Sequence, residues 1–238
     1  MLIGTEKYFF FFILYSVIGW GYETAMCSIR DRAFVNRGFL NGPYCPIYGV
    51  GAVLFLLLLG NEKNALLIFL FGAMIASAVE YLTSFAMEKM FGARWWDYSD
   101  YRFNLNGRVC LGAAAIFGAF AVVLIKLLHP AVLAWASAIP SIIFHAVNLV
   151  TAFTFICDLL VTLRGFHVFN GQLRNITEDF SKNKSSKGGE SYMPIPHQQR
   201  RLMRAFPKMR SLKYGEALKK LRLRLNNHQK GLEKKGKR

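Results

Sequence analysis

Apolar residues in this chain fall into five long blocks, near 8–29, 44–60, 64–89, 108–128 and 140–163, separated by short stretches that carry the glycines, asparagines and arginines. A helix needs about 20 apolar residues to cross the hydrocarbon layer of a bilayer. Every block but the second has that length. Tyr8 to Ile18 is almost wholly aromatic and aliphatic, whereas Ala65 to Val79 and Gly112 to Leu128 interleave the small residues that let helices pack closely in lipid. The stretch from His129 to Leu163 is too long for one ordinary span and too short for two, and Pro140 divides it. The pattern there predicts a short interfacial helix followed by the last span.

The fold expected from this pattern is all-α: a polytopic membrane helix bundle of about five transmembrane helices over residues 1–165. A flexible polar linker is expected over 166–196, and a basic, amphipathic or disordered cytoplasmic tail over 197–238. The first block follows a short N-terminus with Glu6 and Lys7, and no small-x-small site follows it, so it reads as a retained helix rather than a cleaved signal.

Composition supports this class: 53% of the residues are hydrophobic and 15% aromatic, gathered in blocks. The net charge of +16 adds something different. Twenty of the thirty Lys and Arg residues, but only five of the fourteen acids, lie from Arg164 onward, so the charge belongs almost entirely to the tail. Within that tail, Leu202, Phe206 and Met209, then Leu218, Leu221 and Leu225, recur at helical spacing. A basic amphipathic helix lying on anionic membrane lipid is the natural reading, and nucleic acid is not an expected partner.

The short loops set the orientation. Arg30, Arg32 and Arg37 follow the first block, and Lys89, Arg94, Arg102 and Arg108 follow the third, while only Lys7, Lys63 and Lys126 mark the opposite side. The positive-inside rule then puts the N-terminus outside and the first loop, third loop and tail in the cytoplasm.

Those two loops share a pattern, L-N-G-x-x-C, as Leu40-Asn41-Gly42-Pro43-Tyr44-Cys45 and Leu105-Asn106-Gly107-Arg108-Val109-Cys110. Each copy precedes an apolar helix and follows one with carboxylates: Glu23 in the first, Glu80 and Glu88 in the third. Two repeated helix-loop-helix units plus one helix would account for this, with a pseudo-twofold axis along the membrane normal.

Candidate chemistry concentrates in the same places. Asn36, Arg37, Asn41 and Tyr48 belong to a Gly/Pro-rich loop and helix entry. An arginine beside a positive helix end there suits a phosphate or carboxylate, and simple capping and turning of the chain is the competing reading. Arg94, Trp96, Asp97, Asn104, Asn106 and Arg108 form an aromatic, charged loop that either anchors at the interface or lines a pocket for a polar substrate. Glu23, Glu80 and Asp158 fall inside apolar helices, where a charge is costly unless paired, protonated or facing water. Glu88, beside Lys89, reads as a solvated helix end, and His145 as a partner for an acid.

No G-x-x-x-x-G-K-[ST] phosphate loop is present, so an ATP-driven cycle needs another subunit. Cys27, Cys45, Cys110 and Cys157 form no CxxC pair, and neither a metal nor another cofactor is expected.

Together, Asn36-Arg37-Gly38-Phe39-Leu40-Asn41-Gly42-Pro43, Cys45-Pro46-Ile47-Tyr48-Gly49, Glu80-Tyr81, Met87-Glu88-Lys89, Trp95-Trp96-Asp97-Tyr98 and Phe103-Asn104-Leu105-Asn106-Gly107-Arg108 are recognisable. They resemble the bacterial membrane family labelled type IV ABC transporter permease, also called the CmpB-like family, over roughly residues 8–165. The resemblance implies a permease-like component of the bacterial plasma membrane with a polar site at its cytoplasmic face, joined by a separate ATPase subunit or by further copies of itself. It carries over no residue roles. The residues leave two other readings open: an enzyme acting on a lipid or lipid-linked phosphate, and a membrane scaffold or regulator.

Overall fold

A computed structural model describes residues 4–182, 196–223 and 225. Of the described residues, 75% are helical, and the four strands among them have two residues each, so helix packing makes the fold and the strands only clip loops together. The helices are α1 (Gly4–Asp31), α2 (Pro46–Leu59), α3 (Ala65–Phe91), α4 (Leu111–Val123), α5 (His129–Ser137), α6 (Ser141–Lys182) and α7 (His197–Ala205). The strands are β1 (Ala93–Arg94), β2 (Asn104–Leu105), β3 (Val109–Cys110) and β4 (Arg210–Ser211). Among the described residues, four stretches are long and apolar enough to cross a membrane: α1, α3, the rod from Leu111 to Ser137, and Ser141–Glu178 of α6. The chain is therefore a multi-pass membrane protein, with α2 as a shorter apolar helix between two of the spans.

Local chemistry sets the helix ends. Pro46 opens α2, where its missing N–H costs nothing. The Asn64 side chain accepts from the Leu66 and Leu67 amides at the start of α3. Gly92, left-handed at φ 61°, closes α3 by donating its N–H to the Glu88 carbonyl. A second left-handed pair, Asn106 and Gly107, reverses the chain between β2 and β3.

The expected interfacial helix after residue 128 is instead a continuation of the fourth span. α4 passes through one π-helical turn, Leu124–Leu128, directly into α5. The cause is Pro130, which cannot donate to the carbonyl four residues back; the ladder widens just before it, and the His129 amide reaches back to Leu124. The break at Pro140 is present, and α6 begins at Ser141.

Two helix pairs form the bundle, α1 on α2 and α3 on α4, with α2 also against α3. Both pairs depend on close approach at glycine. A Cβ on Gly49 of α2 would overlap Ser16 Oγ and the Phe12 carbonyl of α1, and one on Gly118 of α4 would come within 2.7 Å of the Phe69 carbonyl of α3. Gly49→Ala should therefore lower the thermal stability of the detergent-solubilised protein, by about 1–3 kcal/mol of overpacking. Gly51→Ala, where a Cβ meets nothing within 4 Å, is the control and should leave the melting curve unchanged or slightly higher.

Two apolar clusters lie within the bundle. Phe10, Phe11, Tyr15, Ala52, Ala136 and Phe144 make one, and Phe55, Leu59, Ile68, Ala76, Ala121 and Ile125 the other. Large apolar side chains such as Leu66, Met74, Ile142, Leu149 and Phe153 point outward, as lipid-facing positions do.

The third cluster joins the end of α6 to the tail. α6 continues past residue 165, through most of the predicted linker, to Lys182. At 42 residues it is about 63 Å long, twice the hydrocarbon thickness, so its C-terminal half stands clear of the bilayer. Phe166, Phe169 and Leu173 line one face of that extension. They bury Leu202, Met203, Met209, Leu218 and Leu221 together with Ala93 and Trp95 of the third loop. The apolar face of the tail thus packs on the chain itself rather than on lipid, and β4 pairs antiparallel with β1. Residues 183–195, the rest of the predicted linker, and 226–238, the end of the basic tail, lie outside the described residues.

Candidate functional site

The five predicted carboxylate and arginine positions at the loop level form ion pairs rather than a free basic face. Glu23, late in α1, accepts from Arg37 Nε at 2.9 Å and from the Tyr48 hydroxyl at 2.9 Å. Arg37 is held from the other side by the Ala205 carbonyl and by the Phe206 ring, 4.8 Å from its guanidinium carbon. In the second helix pair, Glu80 accepts from the Tyr98 hydroxyl at 3.0 Å. Burial, and then the neighbouring Glu80, push the Tyr98 hydroxyl well above its ordinary value, so it stays protonated and donates.

Glu88 is no solvated helix end. It accepts from Arg94 Nε and pairs with Arg108, both at 3.0 Å. Arg108 also donates to Ser84 Oγ at 3.2 Å. The Arg94–Glu88–Arg108 group closes the third loop onto α3.

Asp97 is buried and organises its own loop. It accepts from the Ser99 hydroxyl and amide at 2.5 and 3.0 Å, and it meets Arg210 of the tail at 3.2 Å. The Ser99 hydroxyl first, with Arg210 and Arg94 adding to it, holds the Asp97 carboxyl below the usual carboxylate range. Asn104 donates to the Tyr101 carbonyl and accepts from the Gly107 amide, and Asn106 donates to the Tyr81 hydroxyl. These two asparagines shape the loop.

Asp158 of α6 receives the first loop. Its carboxylate accepts from the Asn41 amide at 3.1 Å, the Asn41 side chain at 2.9 Å and the Gly42 amide at 2.7 Å, with Thr162 bonded to both Asn41 and Asp158. Asn36 joins this loop by donating to the Asn41 carbonyl and accepting from Trp20 Nε1.

Between the helix pairs lies a cavity of about 640 Å³ that extends from the loops down to Tyr15, Phe55 and Leu128. Its wall is mostly aliphatic and aromatic. Of the predicted residues, Glu23, Arg37, Tyr48, Glu80 and Trp96 line it. Asn36, Asn41, Arg94, Asp97, Asn104, Asn106, Arg108 and Asp158 do not; they hold the loops that frame it. Trp96 does both, since its Nε1 also donates to the Arg108 carbonyl at 3.0 Å. Phe206 of the tail lines the cavity as well.

Four residues of this arrangement are not among the predicted site residues: Glu88, Tyr98, Thr162 and Phe206. Glu88 left a signal, because two arginines follow it within twenty residues and need a counter-charge. Thr162 sits one helical turn after Asp158. Tyr98 and Phe206 are signalled by nothing local, being brought in by the third loop and the tail.

Arginines already paired with carboxylates are poor phosphate ligands, so the arrangement favours an apolar chamber with embedded acid–tyrosine contacts over an anion cradle. No curated protein and no solved structure matches the chain. Over residues 10–163, which contain both helix pairs, the charged cavity residues Glu23, Arg37 and Glu80, and Asp158, the chain matches the family described as Putative ABC-transporter type IV, and it belongs to that family.

Proposed function

We propose that the chain is the permease-like, membrane-embedded component of an ABC-type transporter in the bacterial plasma membrane, and that the cavity between its helix pairs is the substrate chamber. The observation that carries this reading is the placement of Glu23–Arg37–Tyr48 and Glu80–Tyr98 in the otherwise apolar wall of a cavity between apolar helices. Polar groups there are costly and mark ligand paths. The family membership supports the transport class.

In this reading the chain crosses the membrane five times, with the N-terminus outside and both arginine-rich loops and the tail in the cytoplasm. α2, at 14 residues, is about 21 Å long and completes its crossing through the flanking loop segments. The two helix pairs are the two repeats. Cys45 and Cys110 each stand immediately before the second helix of their pair, and each pair contributes one glutamate–tyrosine contact to the chamber. The loops have since diverged: Asn41-Gly42 bind Asp158, whereas Asn106-Gly107 turn within their own loop.

Energy comes from a separate ATPase. It meets a composite cytoplasmic surface, since residues 196–223 already overlie both loops through Arg201, which donates to the Gly38 and Phe39 carbonyls at 2.8 Å, and through the β1–β4 pairing. A phospholipid-processing enzyme would need Arg37, Arg94 and Arg108 free for phosphate, and their pairing with Glu23 and Glu88 weighs against it.

Purification of the tagged chain at native abundance in mild detergent, with mass spectrometry of what accompanies it, tests the proposal. A stoichiometric partner carrying a phosphate loop is the expected result, and Arg201→Ala should reduce its recovery. Repeated recovery of the chain without any such partner would sink the transport reading.

A further inference from the structure

When Glu80 is ionised, the chamber has an unbalanced charge. Glu23, Arg37 and Glu80 are its charged lining residues among those described, and Arg37 neutralises Glu23 at 2.9 Å. Glu80 is 7% exposed, and its hydrogen-bond partner is the uncharged Tyr98 at 3.0 Å; no described Lys, Arg or His stands at ion-pair distance from it. A buried carboxylate without a counter-charge is unfavourable, and an anion entering the chamber would add a second like charge. A ligand carrying one positive charge removes the imbalance.

The rest of the wall suits the same ligand. Tyr22 meets Phe120 edge-on at 5.3 Å between ring centres, and Tyr48 meets Phe117 at 6.1 Å, so aromatic rings line the space around the glutamates. Ring faces attract cations, more strongly away from water. A volume of about 640 Å³ is that of a pocket for a single small molecule. We propose that this cavity binds a lipophilic monocation, such as an aromatic or alkyl ammonium, with Glu80 as its counter-ion and the aromatic wall as its apolar seat. The proposal rests on reading the cavity as a ligand chamber and names what enters it.

The test uses the full chain in nanodiscs of zwitterionic lipid. Ethidium, a planar aromatic monocation, is titrated and followed by fluorescence anisotropy. Phenanthridine, its uncharged core, is followed by tryptophan quenching. Saturable ethidium binding is expected, weakened at least tenfold by Glu80→Gln, while phenanthridine binding stays as in the unsubstituted chain. Ala76→Phe, which fills the cavity wall one helical turn from Glu80, should abolish binding of both probes and carries the test if Glu80→Gln fails to assemble. Equal ethidium affinity with and without Glu80, or tighter binding of phenanthridine than of ethidium, overturns the proposal. The measurement involves no ATPase. Ethidium binding without a copurifying ATPase therefore removes the transport reading alone, and a copurifying ATPase without ethidium binding removes the monocation alone.

Discussion

Replacing Trp95 with alanine will release residues 196–223 from the loops while the membrane-embedded helices stay folded. Trp95 is 2% exposed and sits among Phe39, Phe91, Phe166 and Phe206, with ring centres 5.0 to 6.1 Å away. Its indole N–H has no hydrogen-bond partner among the described residues, so what it contributes there is packing. Truncating a buried aromatic to alanine costs about 3–5 kcal/mol, and the cluster it leaves is the one holding the tail against α6 and the third loop. Trypsin should then cut rapidly at the arginines and lysines of 200–222, with the fragment containing α1 to α4 surviving. A tail as resistant as before would show that the β1–β4 pairing and Arg201 suffice without the aromatic cluster. Because Phe206 stacks on Arg37 and lines the cavity, the same substitution should loosen the end of the cavity next to the loops.

Asp158→Ala is expected to have the next largest effect, on the bundle rather than the tail. The carboxylate accepts two backbone amides and one side-chain amide from Asn41 and Gly42. Its removal leaves those donors unpaired where the loop enters the membrane, and hydrogen bonds to a charged group are worth roughly 1.5–3 kcal/mol each. A loss of about 3 kcal/mol is expected after partial rehydration, read as a lower melting temperature in detergent. Asp158→Asn keeps an acceptor oxygen and should lose less than half as much. If the two variants melt alike, the carboxylate's charge rather than its geometry holds the loop. A melting temperature unchanged in both would mean that Asn36 and Trp20 position the loop unaided.

The candidate residues divide by how far apart in sequence their partners lie. Glu23 was conspicuous as an acid in an apolar helix, and Arg37 as a cation beside a rigid loop; that they bind each other follows from a short loop folding back on its own helix. Asp158 was conspicuous for the same reason as Glu23. Its role was not, because its partners Asn41 and Gly42 lie more than a hundred residues away. Arg37, which by its place in the first loop suits a phosphate or carboxylate, is paired with Glu23: a sequence displays charges and leaves the distances between them undetermined.

The membrane class, the extent of most apolar segments, the break at Pro140, the family and the loops where polar chemistry concentrates are all legible in the order of residues. These follow from local physics: an apolar run long enough to span lipid must be helical there, because every backbone polar group needs an internal partner. That α4 and α5 are one rod, that α6 runs on to Lys182, and that the basic tail buries its apolar face on Trp95 and Phe166 emerges only from the folded chain. An amphipathic basic segment satisfies its apolar face equally well on lipid or on protein, and the choice depends on whether a complementary apolar surface stands within reach. Here the extension of α6 beyond the bilayer provides that surface, and the cavity between the helix pairs exists only because two close-packed pairs meet side by side.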